Sequence, residues 1–209
     1  LIRNVREVIG DRALYVQHHN DLGVATANAM AAVEAGADMI DVTVLGIGDR
    51  GGCVALEEIA PLLAMYGYDS TIELSRLYEL SLLAKEAFRV PLAPWKPIAG
   101  ANWNKEEGIG HLDGAQDDLA TCGIAPGVVG RAFEGVIGGK LLFGRERSSI
   151  TVDDYSFLRG LLKEWGAAPS DEAFADIVDR AKATVATTPG RYIRVTEFKA
   201  LCEGVLGPL

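Results

Sequence analysis

The sequence predicts an α/β protein that contains the C-terminal part, the last two strand-helix units, of a (β/α)8 barrel. Two strand-like segments, Tyr15–Gly23 and Ile40–Cys53, each end in polar residues and glycines. Between them lies an alanine-rich stretch that ends before Gly36. Alanine favours a helix that packs closely on a sheet, and glycine is the usual residue just after a helix. In such barrels the residues that follow each strand form the active site.

Alternation within the two strands predicts which side chains face the barrel interior. Successive side chains of a strand point to opposite faces, and the more apolar set is expected to pack on the outer helices. The residues expected to face the interior are Gln17, His19, Asp41 and Thr43. His18 is one residue out of register with His19 and is expected to point toward the helices.

The rest of the first segment, residues 1–89, is expected to complete the two barrel units. Helices are predicted at about 55–66 and 72–88, the second with a buried stripe at Leu74, Leu77, Leu83 and Phe88. A proline- and glycine-rich linker is expected at 90–147. The three prolines between positions 90 and 97 predict a stiff, extended connector.

A small helical subdomain is expected at 148–209. Helices are predicted at about 152–165, 171–187 and 196–206, with N-caps at Thr151, Ser170 and Thr196.

Composition limits the classes of function. A net charge of −9 argues against nucleic acid as a partner. No apolar run reaches the roughly 18 to 20 residues of a membrane span, so no membrane partner is expected either. The three cysteines have no disulfide or zinc-ribbon spacing, and a soluble, cytoplasmic protein is expected. An anionic substrate would need local positive groups, for which the candidates are Arg50, Lys140, Arg145 and Arg147.

Several residues could carry chemistry, and each also has a simpler structural interpretation. His19 could bind a divalent metal, although a strand-end histidine is more often only hydrogen-bonded. The glycines after the second strand could bring backbone N–H groups close to an acyl or phosphate oxygen. Cys53 could be a thiolate ligand or a small buried residue. The acidic runs Glu57-Glu58, Glu106-Glu107 and Asp117-Asp118 are interpreted as solvated faces.

Three motifs resemble the homocitrate, isopropylmalate and Re-citrate synthase-like family of metal-dependent acyl-CoA synthases and lyases. Gln17-His-His-Asn-Asp21 resembles the family's His-x-His-Asn-Asp strand end, and Gly46-Ile-Gly-Asp-Arg-Gly-Gly-Cys53 resembles its Gly-Ile-Gly-x-Arg-x-Gly-Asn loop. Pro97-Ile-Ala-Gly and the segment through His111-Leu-Asp-Gly114 resemble the linker of the synthases, which the lyases lack.

The resemblance implies a site. A divalent metal (Zn, Mn, Co or Mg) would be held by His19, with Gln17 and Cys53 in place of the family's first histidine and its asparagine. His111 would act on the thioester as the catalytic acid, base or orienting group. Substrate or CoA would be bound by Asn20, Gly46, Gly48 and Arg50. The sequence departs from the family pattern at Gln17, Cys53, Gly110 and Thr121.

The implied reaction is a Claisen-type condensation of acetyl-CoA, or another acyl-CoA, with a 2-oxo acid to give a hydroxy-di- or tricarboxylate. Two alternatives stay open because of the departures: a divergent acyl-CoA lyase or aldolase, and a non-catalytic subunit that keeps the fold. The chain does not begin with Met and starts within an amphipathic helix. A polypeptide segment of roughly 190 residues is therefore expected to supply the first six barrel strands, in a homo- or hetero-oligomer.

Overall fold

The computed structural model describes residues 1–106, 123–138, 142 and 155–209, which fall into two compact units. The first unit comprises Leu1–Asn104 and Ile124–Ala132, and the second comprises the other described residues. These limits differ from the three segments expected from composition, at 1–89, 90–147 and 148–209. That three-part division stays a prediction.

The first unit alternates strands and helices, which confirms the predicted α/β class. Strands β1 (Tyr15–Gln17) and β2 (Met39–Asp41) are parallel, with Val16 opposite Ile40. The helix α2 (Ala25–Glu34) connects them, as parallel neighbours require. The elements of this unit are α1 (Ile2–Ile9), β1 (Tyr15–Gln17), α2 (Ala25–Glu34), β2 (Met39–Asp41), a short 3-10 turn (Val44–Gly46), α3 (Leu56–Met65), a second 3-10 turn (Leu74–Arg76), α4 (Leu77–Phe88) and a third (Pro126–Val129).

The core of this unit lies on one face of the two strands. Val16 packs with Ala32 and Ala37, and a second cluster joins Ala29 to Ile59 of α3. Because alanine carries only a methyl group, α2 can lie close to both the strands and α3. On the opposite face Gln17 and Asp41 are exposed, as the alternation predicted.

The predicted buried stripe of the helix at 72–88 is wrong at two positions. Leu77 is buried, but Leu83 is 63% exposed and Phe88 is 66% exposed. The helix begins at Leu77, after a 3-10 turn, and buries the face that carries Leu77, Ser81 and Ala84. Leu83 lies about 120° around the helix from Leu77, at 100° per residue, and Phe88 is the last residue of the helix.

The segment after α4 is not the stiff, extended connector that its prolines predicted. Residues 94–104 fold into consecutive turns, in which Gly100 N–H donates to the Lys96 carbonyl at 2.8 Å. Ile98 and Ala99 are buried, and Ile98 packs with Leu77. Proline favours turns as readily as extended linkers, so composition alone could not separate the two.

The second unit is a mixed α/β arrangement. The part for which a small helical subdomain was predicted, 148–209, has its three helices among the described residues, together with one short strand that was not predicted. Strand β4 (Glu134–Gly138) pairs in parallel with β3 (Lys105–Glu106) and antiparallel with β5 (Tyr192–Arg194). The buried core lies between this sheet and the helices. The elements are β3 (Lys105–Glu106), β4 (Glu134–Gly138), α5 (Ser156–Glu164), α6 (Asp171–Thr187), β5 (Tyr192–Arg194) and α7 (Val195–Leu206).

The predicted N-caps of the tail have three different outcomes. Ser170 is confirmed, because its hydroxyl accepts a hydrogen bond from Ala173 N–H at 3.2 Å. Thr196 is wrong: α7 begins one residue earlier, and Glu197 accepts a hydrogen bond from Arg194 N–H at 2.7 Å. Thr151 lies outside the described residues. In the part of the chain that the structure describes, no helix is long and apolar enough to cross a bilayer.

Candidate functional site

His19 and Cys53 face each other just beyond the ends of the two parallel strands. They form an isolated antiparallel β-bridge, and His19 Nδ1 lies 4.0 Å from Cys53 Sγ. Asn20 N–H donates to the Gly52 carbonyl at 2.8 Å, which fixes the two segments side by side. Main-chain contacts therefore bring together two side chains that are 34 residues apart in the sequence.

The glycines of the loop are packed so closely that a side chain at Gly48 or Gly51 would have no room. A Cβ at Gly48 would lie 2.7 Å from Cys53 Sγ, and a Cβ at Gly51 would lie 2.8 Å from the Asn20 carbonyl oxygen. The Gly46 carbonyl accepts a hydrogen bond from Cys53 N–H at 3.0 Å. Close packing therefore explains Gly46 and Gly48 without a ligand, and their predicted role in binding substrate stays a prediction.

Arg50, the predicted anion-binding residue, forms a two-point ion pair with Asp21. Its Nε and Nη2 lie 2.9 Å and 3.1 Å from the two carboxylate oxygens. The hydrogen bond from Arg50 holds the pKa of Asp21 below its usual range. Both side chains are about half exposed. The guanidinium already has a carboxylate partner, so a substrate anion would have to share it or displace it.

Asn20, a second predicted substrate-binding residue, supports the start of α2. Its Oδ1 accepts a hydrogen bond from Ala25 N–H at 3.0 Å, which satisfies one of the free donors of the first helical turn. This contact places Asn20 in a structural role. Its predicted contact with substrate stays a prediction.

The metal site predicted at Gln17, His19 and Cys53 is only partly assembled by the chain's own donors. Two ligands of one tetrahedral zinc, with Zn–S about 2.3 Å and Zn–N about 2.0 Å, would be roughly 3.5 Å apart. The observed 4.0 Å between His19 and Cys53 is close to that separation. Gln17 lies on the exposed strand face beside Asp41. Within the described ranges, no three His, Cys, Asp or Glu side chains come close enough to hold one ion.

His18 confirms the register argument. It lines a cavity together with Asn28 and Ala31 of α2, on the side opposite to Gln17. Its Nδ1 is buried and has no hydrogen-bond partner. The two adjacent histidines therefore point to different faces, and only His19 reaches Cys53.

A buried charge cluster lies beneath the glycine loop, and the interpretation of Glu57-Glu58 as a solvated face is wrong. Glu57 is only 1% exposed, and its Oε2 accepts a hydrogen bond from Leu45 N–H at 2.9 Å. Lys96 Nζ lies 2.8 Å from Glu58 Oε1 and 3.4 Å from Glu57 Oε1. The Thr26 hydroxyl donates to Glu58 Oε2 at 2.8 Å.

Burial and the neighbouring charges shift the pKa values of Glu57 and Lys96 in opposite directions. Burial raises the pKa of Glu57, although Lys96 and the Leu45 N–H partly oppose the shift. Burial alone would lower the pKa of Lys96, but its contacts with Glu58 and Glu57 outweigh burial and raise it. One feature of the sequence indicated that these carboxylates could have partners. Both lie in the first turn of α3, where the free N–H groups of the helix favour acidic residues.

Other predicted residues lie outside the described residues. They are His111, Thr121, Lys140, Arg145 and Arg147.

Comparison with known proteins gives consistent matches. Residues 1–83 match the HMGL-like family model. The chain is similar to (R)-citramalate synthase of Methanocaldococcus jannaschii (35% identical, over 93% of this chain and 37% of that protein). It is similar to 2-isopropylmalate synthase of the same organism (34%, over 93% and 36%) and to that of Sulfolobus acidocaldarius (39%, over 78% and 44%). The chain thus spans less than half the length of each of these relatives.

Proposed function

The chain belongs to the HMGL-like family, and from that premise we propose that it is part of a synthase that condenses an acyl-CoA with a 2-oxo acid. Acetyl-CoA is the proposed acyl donor, and a hydroxy-di- or tricarboxylate is the proposed product. The observation that carries the proposal is the His19–Cys53 pair, held beyond the ends of two parallel strands by a close-packed glycine loop. This is the place where a (β/α)8 barrel keeps its active site.

We propose that β1 and β2 are the last two strands of such a barrel. The face that carries Gln17 and Asp41 also exposes Tyr15 and Met39, as expected of strands that lack their neighbours. Exposed apolar side chains and unpaired strand edges favour association with further polypeptide. A segment that supplies the other strands, within the same subunit or from another chain, would cover this face.

Enzymes of this family generally depend on a divalent metal. In this chain His19 and Cys53 would hold it, with the amide oxygen of Gln17 as a third donor. A bound divalent metal would polarise the carbonyl of the 2-oxo acid. A thiolate and an imidazole favour zinc or cobalt, whereas the family's histidine and asparagine also suit harder ions. The replacement at Cys53 is thus expected to narrow the choice of metal, whereas the amide oxygen of Gln17 is a hard donor that does not.

The chain's own residues would orient the substrates. Arg50, fixed by Asp21 at the rim of the loop, would attract an anionic group of the 2-oxo acid or of CoA. His111 would exchange a proton at the thioester carbonyl or at the acyl methyl group, since an imidazole has a pKa near neutrality. Removal of a methyl proton gives the enolate that attacks the 2-oxo carbon, and hydrolysis of the thioester then releases free CoA.

The test is a CoA-release assay on the chain together with the polypeptide that completes its barrel. Acetyl-CoA is supplied with a panel of 2-oxo acids of increasing side-chain size, and products are identified by mass. We expect free CoA and a hydroxy acid in equal amounts, and loss of both in His19→Ala. Absence of CoA release with every 2-oxo acid, in a protein that has bound metal, would overturn the proposal.

One observation favours a second candidate, a subunit that keeps the fold without catalysing. The described residues bring together only two of the predicted ligands, and Gln17 is a weaker ligand than histidine. Metal analysis of the completed protein separates the two functions, because a non-catalytic subunit would bind none. A divergent lyase or aldolase would be revealed in a second assay, in which hydroxyacyl-CoA substrates are supplied and the release of acetyl-CoA is measured.

A further inference from the structure

We propose that Lys96 is a positioning residue: bound to Glu57 and Glu58, it holds the glycine loop in the conformation that places Cys53 beside His19. The expected loss of catalytic activity on removing Lys96 rests on the proposed function. The expected opening of the glycine loop does not, and it can be measured without any substrate.

The contacts run from Lys96 to the loop through one carboxylate. Lys96 Nζ is bound to Glu58 at 2.8 Å and approaches Glu57 Oε1 at 3.4 Å. Glu57 Oε1 is buried and makes no hydrogen bond, so Lys96 is the charge that compensates it. A buried carboxylate without such a partner is strongly unfavourable and would move toward water.

Glu57 in turn fixes Leu45, the residue just before the glycine loop, in an uncommon conformation. Its Oε2 accepts the Leu45 N–H, and Leu45 has a φ of 62°, which a leucine rarely adopts. The next residue, Gly46, accepts a hydrogen bond from Cys53 N–H through its carbonyl. Lys96 is therefore linked to Cys53 by three contacts in series: its ionic contact with Glu57, the hydrogen bond from Leu45 N–H to Glu57, and the hydrogen bond from Cys53 N–H to the Gly46 carbonyl.

The turn that carries Lys96 is itself held in place by Arg131. Arg131 donates to the carbonyls of Ile98 and Gly100, at 2.7 Å and 2.6 Å, and its guanidinium stacks on the ring of Tyr78 at 4.2 Å. These bonds hold the turn that carries Lys96. The segment after α4 thus acts as a support for the loop, which explains why a proline-rich stretch is folded against this unit.

The test measures alkylation of Cys53 and Cys202 by iodoacetamide in the native chain, with Cys122→Ser as the background. Both thiols are buried, and burial raises the pKa of the Cys202 thiol to about 11. Peptide mass spectrometry gives a rate for each cysteine. Cys202 belongs to the second unit and reports unfolding of that unit, whereas Cys53 reports the loop. Urea unfolding of the same variants reports the stability of the first unit, which should stay close to that of the wild type if only the loop opens.

We expect Lys96→Met to raise the alkylation rate of Cys53 about tenfold through local opening of the loop, with Cys202 unchanged. Lys96→Arg keeps the charge and should restore most of the protection. Lys85→Met, the same exchange at an exposed position of α4, should change neither rate. If Lys96→Met does not fold, Glu58→Gln removes the shortest ionic contact of Lys96 while keeping volume, and a smaller selective rise is expected.

Two results would overturn the inference: an unchanged Cys53 alkylation rate in both Lys96→Met and Glu58→Gln, or Cys53 and Cys202 alkylation rates that rise together.

In the completed enzyme, Lys96→Met should also lower kcat/KM by about tenfold, a typical effect of losing a residue that orients a metal ligand. A selective rise at Cys53 in a protein without synthase activity would refute the proposed function and leave the loop inference intact.

Discussion

Replacing Gly48 by alanine tests whether the Cys53 thiol is packed directly against the glycine loop. The new Cβ would lie 2.7 Å from Cys53 Sγ and 3.4 Å from Cys53 N. Ordinary contacts between such atoms are roughly 3.5 to 4.0 Å, so the thiol or the loop must move by about 1 Å. Overpacking of this kind costs about 1 to 3 kcal/mol. We expect Gly48→Ala to lower the free energy of unfolding of the first unit by about 2 kcal/mol.

A double-mutant cycle makes this prediction specific. Cys53→Ala removes the sulfur, after which the nearest atoms to the new Cβ are at 3.4 Å and 3.5 Å. The double variant should therefore lose much less stability than the sum of the single variants, with a coupling of about 1 to 2 kcal/mol. The assay is urea unfolding followed by circular dichroism. Gly127→Ala, in a 3-10 turn of the first unit with no neighbour within 4 Å of the new Cβ, is the matched control.

An additive cycle would refute the reasoning. If Gly48→Ala and Cys53→Ala act independently, the sulfur is not the atom that the Cβ meets. A Gly48→Ala variant as stable as the wild type would mean that the loop has room, and that glycine there serves another purpose.

Three further predictions concern charged residues of the first unit. Arg50→Ala should raise the pKa of Asp21 toward its ordinary range, measured by NMR titration, because the guanidinium is what lowers it. Burial raises the folded pKa of Glu57, so its stability contribution is full below the unfolded pKa and falls as the pH rises through the folded pKa. The unfolding free energy of the wild type relative to Glu57→Gln should therefore fall with rising pH, starting near the ordinary pKa of glutamate and levelling off above the raised folded pKa; an increase would contradict this. Arg131→Ala should cost about 2 kcal/mol in urea unfolding, since it loses two main-chain hydrogen bonds and the contact with Tyr78, and Arg131→Lys should not restore it fully.

The face that carries Gln17 and His19 could be predicted because strand alternation is a local property. Side chains two residues apart share a face whatever surrounds the strand. For the same reason His18 could be assigned to the opposite face. The contact between His19 and Cys53 was expected only from the order of the motifs, and it needed the main-chain bonds around Gly52 to bring the two segments together.

The burial of Glu57 could not be predicted, because its partner Lys96 lies 39 residues away in a segment that composition described as a connector. A charged residue is normally exposed, and only a tertiary contact reverses that expectation. The exposure of Leu83 could not be predicted either, for the opposite reason. An apolar residue of a helix is buried only if another element packs against the face that carries it. Strand β4 was missed because its glycines weaken the strand pattern, while its partner β5 comes more than 50 residues later.

His19 and Cys53 are central to the whole account, which requires them to bind the same metal ion. Cobalt(II) added to the completed, metal-free protein tests this directly, because a cobalt–thiolate bond gives a charge-transfer band in the near ultraviolet. We expect that band in the wild type and its loss in both Cys53→Ser and His19→Ala. A wild type without the band, or a band that persists in Cys53→Ser, would contradict the account.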